Sequence, residues 1–253
     1  MNPSGNTILI TGGGSGIGRG LAEALHNAGN QVIIAGRRQS ALDAVTAANP
    51  GIESLAFDVA DAAGIRSFAA EVTAKFPKLN VLINNAGIMR AERLGDAPAS
   101  LPDAEAIVAT NLLGPIRLTH ALLPHLKQQK NAVIINVSSG LAFVPLSITP
   151  TYNATKAAIH SYSLSLRWQL RSTGIEVLEI IPPYVQTDLM NGADDPRAMP
   201  LKDFIAEGMS ILRRQPTPPE ICVERAMGLR NAEKEGRFDA AFSGMNSAFG
   251  GEN

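Results

Sequence analysis

Two side chains with the means to move a proton stand four residues apart in Tyr152-Asn153-Ala154-Thr155-Lys156. On a helix this spacing puts both on one face, a turn apart, so that phenol and ammonium can share a pocket. A phenol that works at neutral pH must have its pKa brought from about 10 toward 7, roughly 4 kcal/mol of preferential stabilisation of the phenolate. An ammonium about 5 Å away supplies about 3 kcal/mol of this at an effective dielectric near 20. Lys156 is therefore expected to lower the Tyr152 phenol, and the pair needs neither histidine nor metal.

A hydroxyl lies upstream in the run Val133-Ile134-Ile135-Asn136-Val137-Ser138-Ser139-Gly140, a buried-strand pattern ending in two serines. At the carboxyl edge of a strand, where open α/β sheets place ligands, Ser139 can hydrogen-bond a substrate oxygen and stabilise developing alkoxide charge. Ser138 is expected to point away and serve structure. The same residues admit another chemistry, a hydrolase with Ser139 as nucleophile and Lys156 as base.

The segment Thr11-Gly12-Gly13-Gly14-Ser15-Gly16-Ile17-Gly18 follows an apolar strand pattern and opens a helix. In that context backbone N–H groups and the positive end of the helix can meet a pyrophosphate, which points to a dinucleotide. The form is T-G-x-x-x-G-x-G and not G-x-G-x-x-G, because Ile17 takes the third glycine position counted from Gly12. The second strand ends in Gly36-Arg37-Arg38, with no carboxylate at its tip. An acidic residue there would hold a ribose 2′-hydroxyl, whereas a guanidinium accommodates a 2′-phosphate through charge-assisted bonds. Arg37, with Arg38, favours NADP(H) over NAD(H).

These residues need strands and helices to carry them. Short runs rich in Val and Ile recur at 7–10, 31–35, 52–57, 81–83, 132–137 and 175–181, with helical patterns between them. That alternation predicts right-handed βαβ units: an α/β, single-domain, Rossmann-type doubly wound parallel sheet of about seven strands with helices on both faces. Helices are expected from Ile17 to a stop at Gly29, over about 103–127, and from Tyr152 to Arg171. The Pro-, Gly- and Met-rich stretch 183–218, with a short helical pattern at 204–212, reads as a substrate lid. Residues from about 241 read as a loose tail.

At 253 residues, 45% hydrophobic, the chain can fill one large core. A net charge of −1 with dispersed basic residues gives no nucleic-acid or membrane face, and the expected partner is a small molecule. The single cysteine, Cys222, leaves no internal disulfide and no cysteine metal cluster. With no run approaching the roughly 18 apolar residues of a span, a soluble cytoplasmic protein is expected. His26, His120, His125 and His160 read as packing or surface residues, and no metal is expected.

Taken in order, the glycine loop, the Y-x-x-x-K pair and the serine before it resemble the short-chain dehydrogenase/reductase family over residues 7–187, three-quarters of the chain. The resemblance implies a catalytic set of Asn111, Ser139, Tyr152 and Lys156, with hydride passing between NADP(H) and a ketone, aldehyde or secondary alcohol. Asn111, in Asn111-Leu112-Leu113-Gly114, matches an N-x-x-G segment whose Asn holds a helix bend and a water leading to the lysine. The resemblance also implies that Lys156 holds the nicotinamide ribose.

For the cofactor the resemblance implies contacts from Gly12, Gly14, Ser15, Gly16, Ile17, Gly18, Arg37, Arg38, Asp58, Val59, Asn85, Ala86, Gly87, Tyr152, Lys156, Val185 and Thr187. Asp58 is equally readable as a turn residue, and the Asn84-Asn85-Ala86-Gly87 motif as an ordinary turn. Pro183 stands where the family has a glycine. Apolar residues Leu141, Phe143, Val144, Leu146, Tyr184 and Met190 are expected around a bulky apolar substrate. Leu164, Trp168 and Leu170 are expected at a homodimer or homotetramer interface or in the core. A non-catalytic dinucleotide sensor on the same scaffold is a further alternative, although it should have lost Tyr152 or Lys156.

Overall fold

Strands covered on both faces need continuous apolar runs, because neither side of the pleat meets water. Each of the six expected runs forms a strand: β1 (Thr7–Thr11), β2 (Gln31–Gly36), β3 (Glu53–Ala56), β4 (Leu79–Asn84), β5 (Val133–Val137) and β6 (Glu176–Ile181), all largely buried except the edge strand β3. A short β7 (Glu220–Cys222) completes a seven-stranded, all-parallel sheet in the order β3-β2-β1-β4-β5-β6-β7. The computed structural model describes residues 1–92 and 101–249, apart from the side chains of Met190, Asn191 and Ala193.

Alternation along the strands divides the core in two. Ile8, Ile10, Val32, Ile34, Val81 and Ile83 face one helical layer, and Leu9, Ile33, Leu82 and Ile134 face the other; all are fully buried. The helices that cover them include α1 (Gly16–Asn27), α2 (Gln39–Ala48), α3 (Ile65–Lys75), α4 (Leu101–Val108), α5 (Gly114–Leu126), α6 (Pro150–Leu170), α7 (Leu201–Leu212), α8 (Glu224–Arg230) and α9 (Phe238–Phe249). α1 stops where expected, with Gly29 in the left-handed region at φ +86°, a conformation that costs glycine least.

Three departures from expectation have clear causes. The helix foreseen over 103–127 is interrupted by a single π turn, Ala109–Leu113, a feature that often marks functional sites. Residues 101–126 do contain a stretch apolar enough to cross a bilayer, with a mean hydropathy of 1.3, yet 44% of it is buried inside the protein, as in a core helix. Of the expected loose tail, residues up to Phe249 belong to the helix α9, in which Phe238, Phe242, Met245 and Phe249 repeat at helical spacing although none of its residues is buried; the last four lie outside the described residues.

On α6, Leu170 packs into the core, while Leu164 and Trp168 are exposed, Trp168 at 69%.

Candidate active site

The strand order reverses between β1 and β4, and in open α/β sheets ligands bind at that switch, beyond the carboxyl ends of the strands. A cleft of about 1000 Å³ opens there. Its floor is the turn after β1. Gly12 adopts φ +68° and lies so close to Ala86 that a Cβ would stand 2.8 Å from the Ala86 Cα. At Gly18 a Cβ would sit 2.3 Å from the Gly12 carbonyl oxygen. Only glycine lets the turn fold back on itself this tightly.

The N-terminus of α1 is open to this cleft. Ser15 occupies the cap position but makes no side-chain capping bond, and the first turn carries no acidic residue; instead its hydroxyl accepts a hydrogen bond from Arg38 Nη2 at 3.1 Å. An uncapped helix start with free N–H groups and a positive end suits a phosphate. Gly12, Gly14, Ser15, Gly16, Ile17 and Gly18 all line the cleft, with Arg37, Arg38, Asp58 and Val59 at one end. Arg37 Nη1 lies 3.9 Å from Asp58 Oδ2, and Asp58 Oδ1 also accepts from the Ala60 amide at 2.9 Å, so Asp58 is a turn residue and a cleft residue at once.

The Asn84–Gly87 motif ties β4 to the glycine turn. Asn85 Nδ2 donates to Thr11 O at 2.9 Å, and the Asn85 and Ala86 amides both donate to Thr11 Oγ1 at 3.1 Å. Asn84 lies deeper, donating to Asn136 Oδ1 and Thr119 Oγ1. Asn85, Ala86 and Gly87 line the cleft, as do Val185 and Thr187 on the opposite bank.

Tyr152 and Lys156 face the same cleft from the first turns of α6, both nearly buried. Lys156 Nζ lies 5.5 Å from the Tyr152 ring centroid and donates to Val137 O at 2.8 Å. Ser139, at the end of β5, accepts from the Leu141 amide at 3.1 Å and so caps the short turn Gly140–Ala142. Asn111 lies in the π turn, where its Oδ1 accepts from Ile88 N at 2.9 Å and its Nδ2 donates to Ile88 O at 2.8 Å. Gly87 brings the two groups together: a Cβ there would be 3.5 Å from Asn111 Oδ1 and 3.7 Å from Lys156 Nζ.

The electrostatics correct one expectation. Burial pushes the Tyr152 phenol up to about 12, with a hydrogen bond to Ser139 pulling the other way. Burial likewise pulls the Lys156 ammonium down to about 8, opposed by the negative charge of Glu179. Loss of hydration outweighs the Ser139 hydrogen bond, so the direction for Tyr152 is toward the neutral phenol, opposite to the lowering expected from Lys156.

Beyond the Tyr–Lys–Ser group the cleft continues between Leu141, Leu146, Tyr184, Leu229, Met245 and Phe249. Two residues expected here lie elsewhere. Phe143 packs edge-on against His160 at 4.7 Å, beneath the Arg230 guanidinium at 4.5 Å, and Val144 is fully buried; neither lines the cleft. The Met190 side chain lies outside the described residues. Residues not foreseen come from α9, which is fastened to the cleft rim: Asn246 Nδ2 donates to Pro145 O at 3.2 Å and its Oδ1 accepts from Ser147 N at 2.6 Å. Phe249 stands edge-on to Tyr184 at 5.7 Å, with the Arg197 guanidinium 4.2 Å from its ring.

A doubly wound parallel sheet, an uncapped glycine turn at its switch point and a buried Tyr–Lys pair beside a serine define a nicotinamide-dinucleotide oxidoreductase. The chain belongs to the short-chain dehydrogenase family, whose model matches residues 6–198. It is 38% identical over 98% of its length, and 99% of the relative's, to the uncharacterized oxidoreductase DltE of Bacillus subtilis. With serine 3-dehydrogenase of Agrobacterium fabrum it shares 37% identity over 72% of this chain and 73% of that one. Among solved structures it resembles a short-chain dehydrogenase of Burkholderia cenocepacia in complex with NADP (TM-score 0.82, 24% identical, covering 97% and 99% of the two chains). It also resembles the 3-ketoacyl-(acyl-carrier-protein) reductase of Brucella melitensis complexed with NADH (TM-score 0.77, 26% identical, 89% and 100%).

Proposed function

We propose that this protein is an NADPH-dependent reductase of ketones or aldehydes bearing an apolar group. The observation that carries the reading is the meeting of Tyr152, Lys156 and Ser139 in the same cleft as the uncapped α1 terminus. The glycine turn, Asn85–Gly87, Val185 and Thr187 would hold the nucleotide, with Arg37 and Arg38 at the ribose 2′-phosphate. When bound, the reduced nicotinamide supplies a hydride to the carbonyl carbon.

The chain's own residues handle the oxygen and the proton. Ser139 donates a hydrogen bond to the carbonyl oxygen and steadies the charge that develops there. Tyr152, neutral because burial pushes its phenol up to about 12, gives its proton to the same oxygen, which leaves as an alcohol. Lys156 stabilises the phenolate left behind, and Asn111 holds the turn beside it. A Ser–Lys hydrolase is less well supported, since Lys156 donates to Val137 O. The apolar wall of Leu141, Leu146, Tyr184, Met245 and Phe249 supports the substrate class. The exposed Leu164 and Trp168 support a homo-oligomer, and the composition a cytoplasmic location.

The test is to follow loss of reduced-nicotinamide absorbance with NADPH and with NADH against aryl ketones, diketones and aldehydes. NADPH-preferring turnover is expected. Measurable nucleotide binding with no turnover of any carbonyl would overturn the reading in favour of a dinucleotide sensor.

A further inference from the structure

One buried carboxyl group takes no part in the steps above. Glu179 stands in the middle of β6, between β5 and β7, and is fully buried at 0% exposure. Interior parallel strands ordinarily carry apolar residues there, and a buried carboxylate persists only where it is bonded and compensated. Its Oε1 accepts from the Ser138 hydroxyl at 2.5 Å. His160 Nδ1 lies 2.9 Å from Oε2 and 3.1 Å from Oε1.

Both partners adjoin the reacting groups. Ser138 lies between Ser139 and Val137, whose carbonyl accepts from Lys156 Nζ. His160 is one turn beyond Lys156 on α6, on the same face. Behind Glu179, its register partner Glu220 on β7 is held through both carboxylate oxygens by Arg230, at 2.8 and 2.9 Å. His160, Glu179 and Glu220 approach one another closely enough to suggest a cation site. Ser138 and Arg230 give donors to Glu179 Oε1 and to both Glu220 oxygens, and His160 Nδ1 lies within bonding distance of Glu179 Oε2, so the three residues form an internal network.

We propose that Glu179 is a positioning residue of the active site. Held by Ser138 and His160, its carboxylate is the counter-charge that keeps Lys156 an ammonium and anchors the strand end presenting Ser139. This rests on the role given to Lys156 under Proposed function. Burial alone pulls Lys156 down, and Glu179 is the charge that acts against it. The other groups facing Lys156 are the Tyr152 phenol on α6, the Asn111 amide on the π turn and the Val137 carbonyl on β5. Those around Glu179 are Ser138, His160 and Glu220, with Arg230, Arg167 and Cys222 beyond.

The test pairs activity with a titration of Lys156 that needs no turnover. In the nucleotide-free protein, competitive acetylation of Lys156 across a pH series, read by mass spectrometry of its peptide, gives the midpoint directly. For Glu179→Gln the midpoint is expected about one pH unit lower than in the parent. The alkaline limb of kcat/KM moves with it, an about fivefold loss at pH 8 as the protonated fraction falls from about one-half to about one-tenth. Glu179→Asp keeps the charge and keeps the limb close to the parent's, even where its Tm falls. Glu179→Leu, which also removes the charge, makes the same test if the Gln variant is unstable.

A Lys156 midpoint and pH limb unchanged in the charge-removing variants would overturn the proposal. A midpoint that moves in a protein turning over no carbonyl would support the role of Glu179 while overturning the proposed function.

Discussion

The two ends of the cleft are built from different materials. The nucleotide end is built mainly of backbone: the β1–α1 turn, the Asn85–Gly87 segment and the open start of α1, with the Arg37 and Arg38 side chains at its margin. The substrate end is made of side chains from the turn after β5, the segment after β6, α8 and α9, held together by single contacts such as Asn246 to Pro145 and Phe249 to Tyr184. A surface made of backbone dictates its sequence, because only glycine permits the close approach. A surface made of side chains leaves many sequences open.

Tyr152→Phe, at the junction of the two ends, carries the largest expected effect. Turnover should fall by about 10²–10⁴-fold, while nucleotide affinity, followed by fluorescence titration, stays within a few-fold. Unchanged turnover would remove the acid–base assignment. At the nucleotide end, Gly18→Ala would force a Cβ to 2.3 Å from the Gly12 carbonyl oxygen. A loss of about 1–3 kcal/mol in stability is expected, visible as a lower Tm together with weaker nucleotide binding.

Arg37→Ala should be more selective: losing a charge-assisted bond of about 1.5–3 kcal/mol, it raises the KM for NADPH by about tenfold or more and leaves that for NADH nearly unchanged. Equal losses with both nucleotides would remove Arg37 from the 2′-phosphate. Phe249→Ala is the mildest, a few-fold change in KM for aryl ketones relative to small aldehydes with nucleotide affinity unchanged. If it altered nucleotide binding instead, the division between backbone-built and side-chain-built ends would fail.

That division also explains what was legible in the sequence. β1, β2, β4, β5 and β6 could be read because burial on both faces imposes apolar runs, and the glycine turn, Tyr152, Lys156 and Ser139 because their spacing is fixed by one turn or one helix. β7 was not legible, since its three residues follow a long irregular segment. The break at Asn111 was signalled only by the resemblance of Asn111–Gly114 to a helix-bending segment, because a π turn costs only one extra residue in an otherwise helical pattern. Phe143 was misplaced because the short turn after Ser139 aims it at His160, away from the cleft. The expectation that Lys156 would lower the Tyr152 phenol considered the pair alone, whereas burial of both groups prevails in the folded chain. Glu179 did leave a trace, as a lone acid inside the apolar run Val177-Leu178-Glu179-Ile180-Ile181.

α9 forms one wall of the cleft yet buries none of its own residues. Little free energy separates its docked form from one in which the helix has swung clear, because few apolar contacts are lost on opening. Amide hydrogens from Phe238 to Phe249 should therefore exchange with solvent long before those of β1, β4 and β5. The cleft would then exchange its contents as α9 comes and goes, while the sheet that holds the reacting groups stays folded.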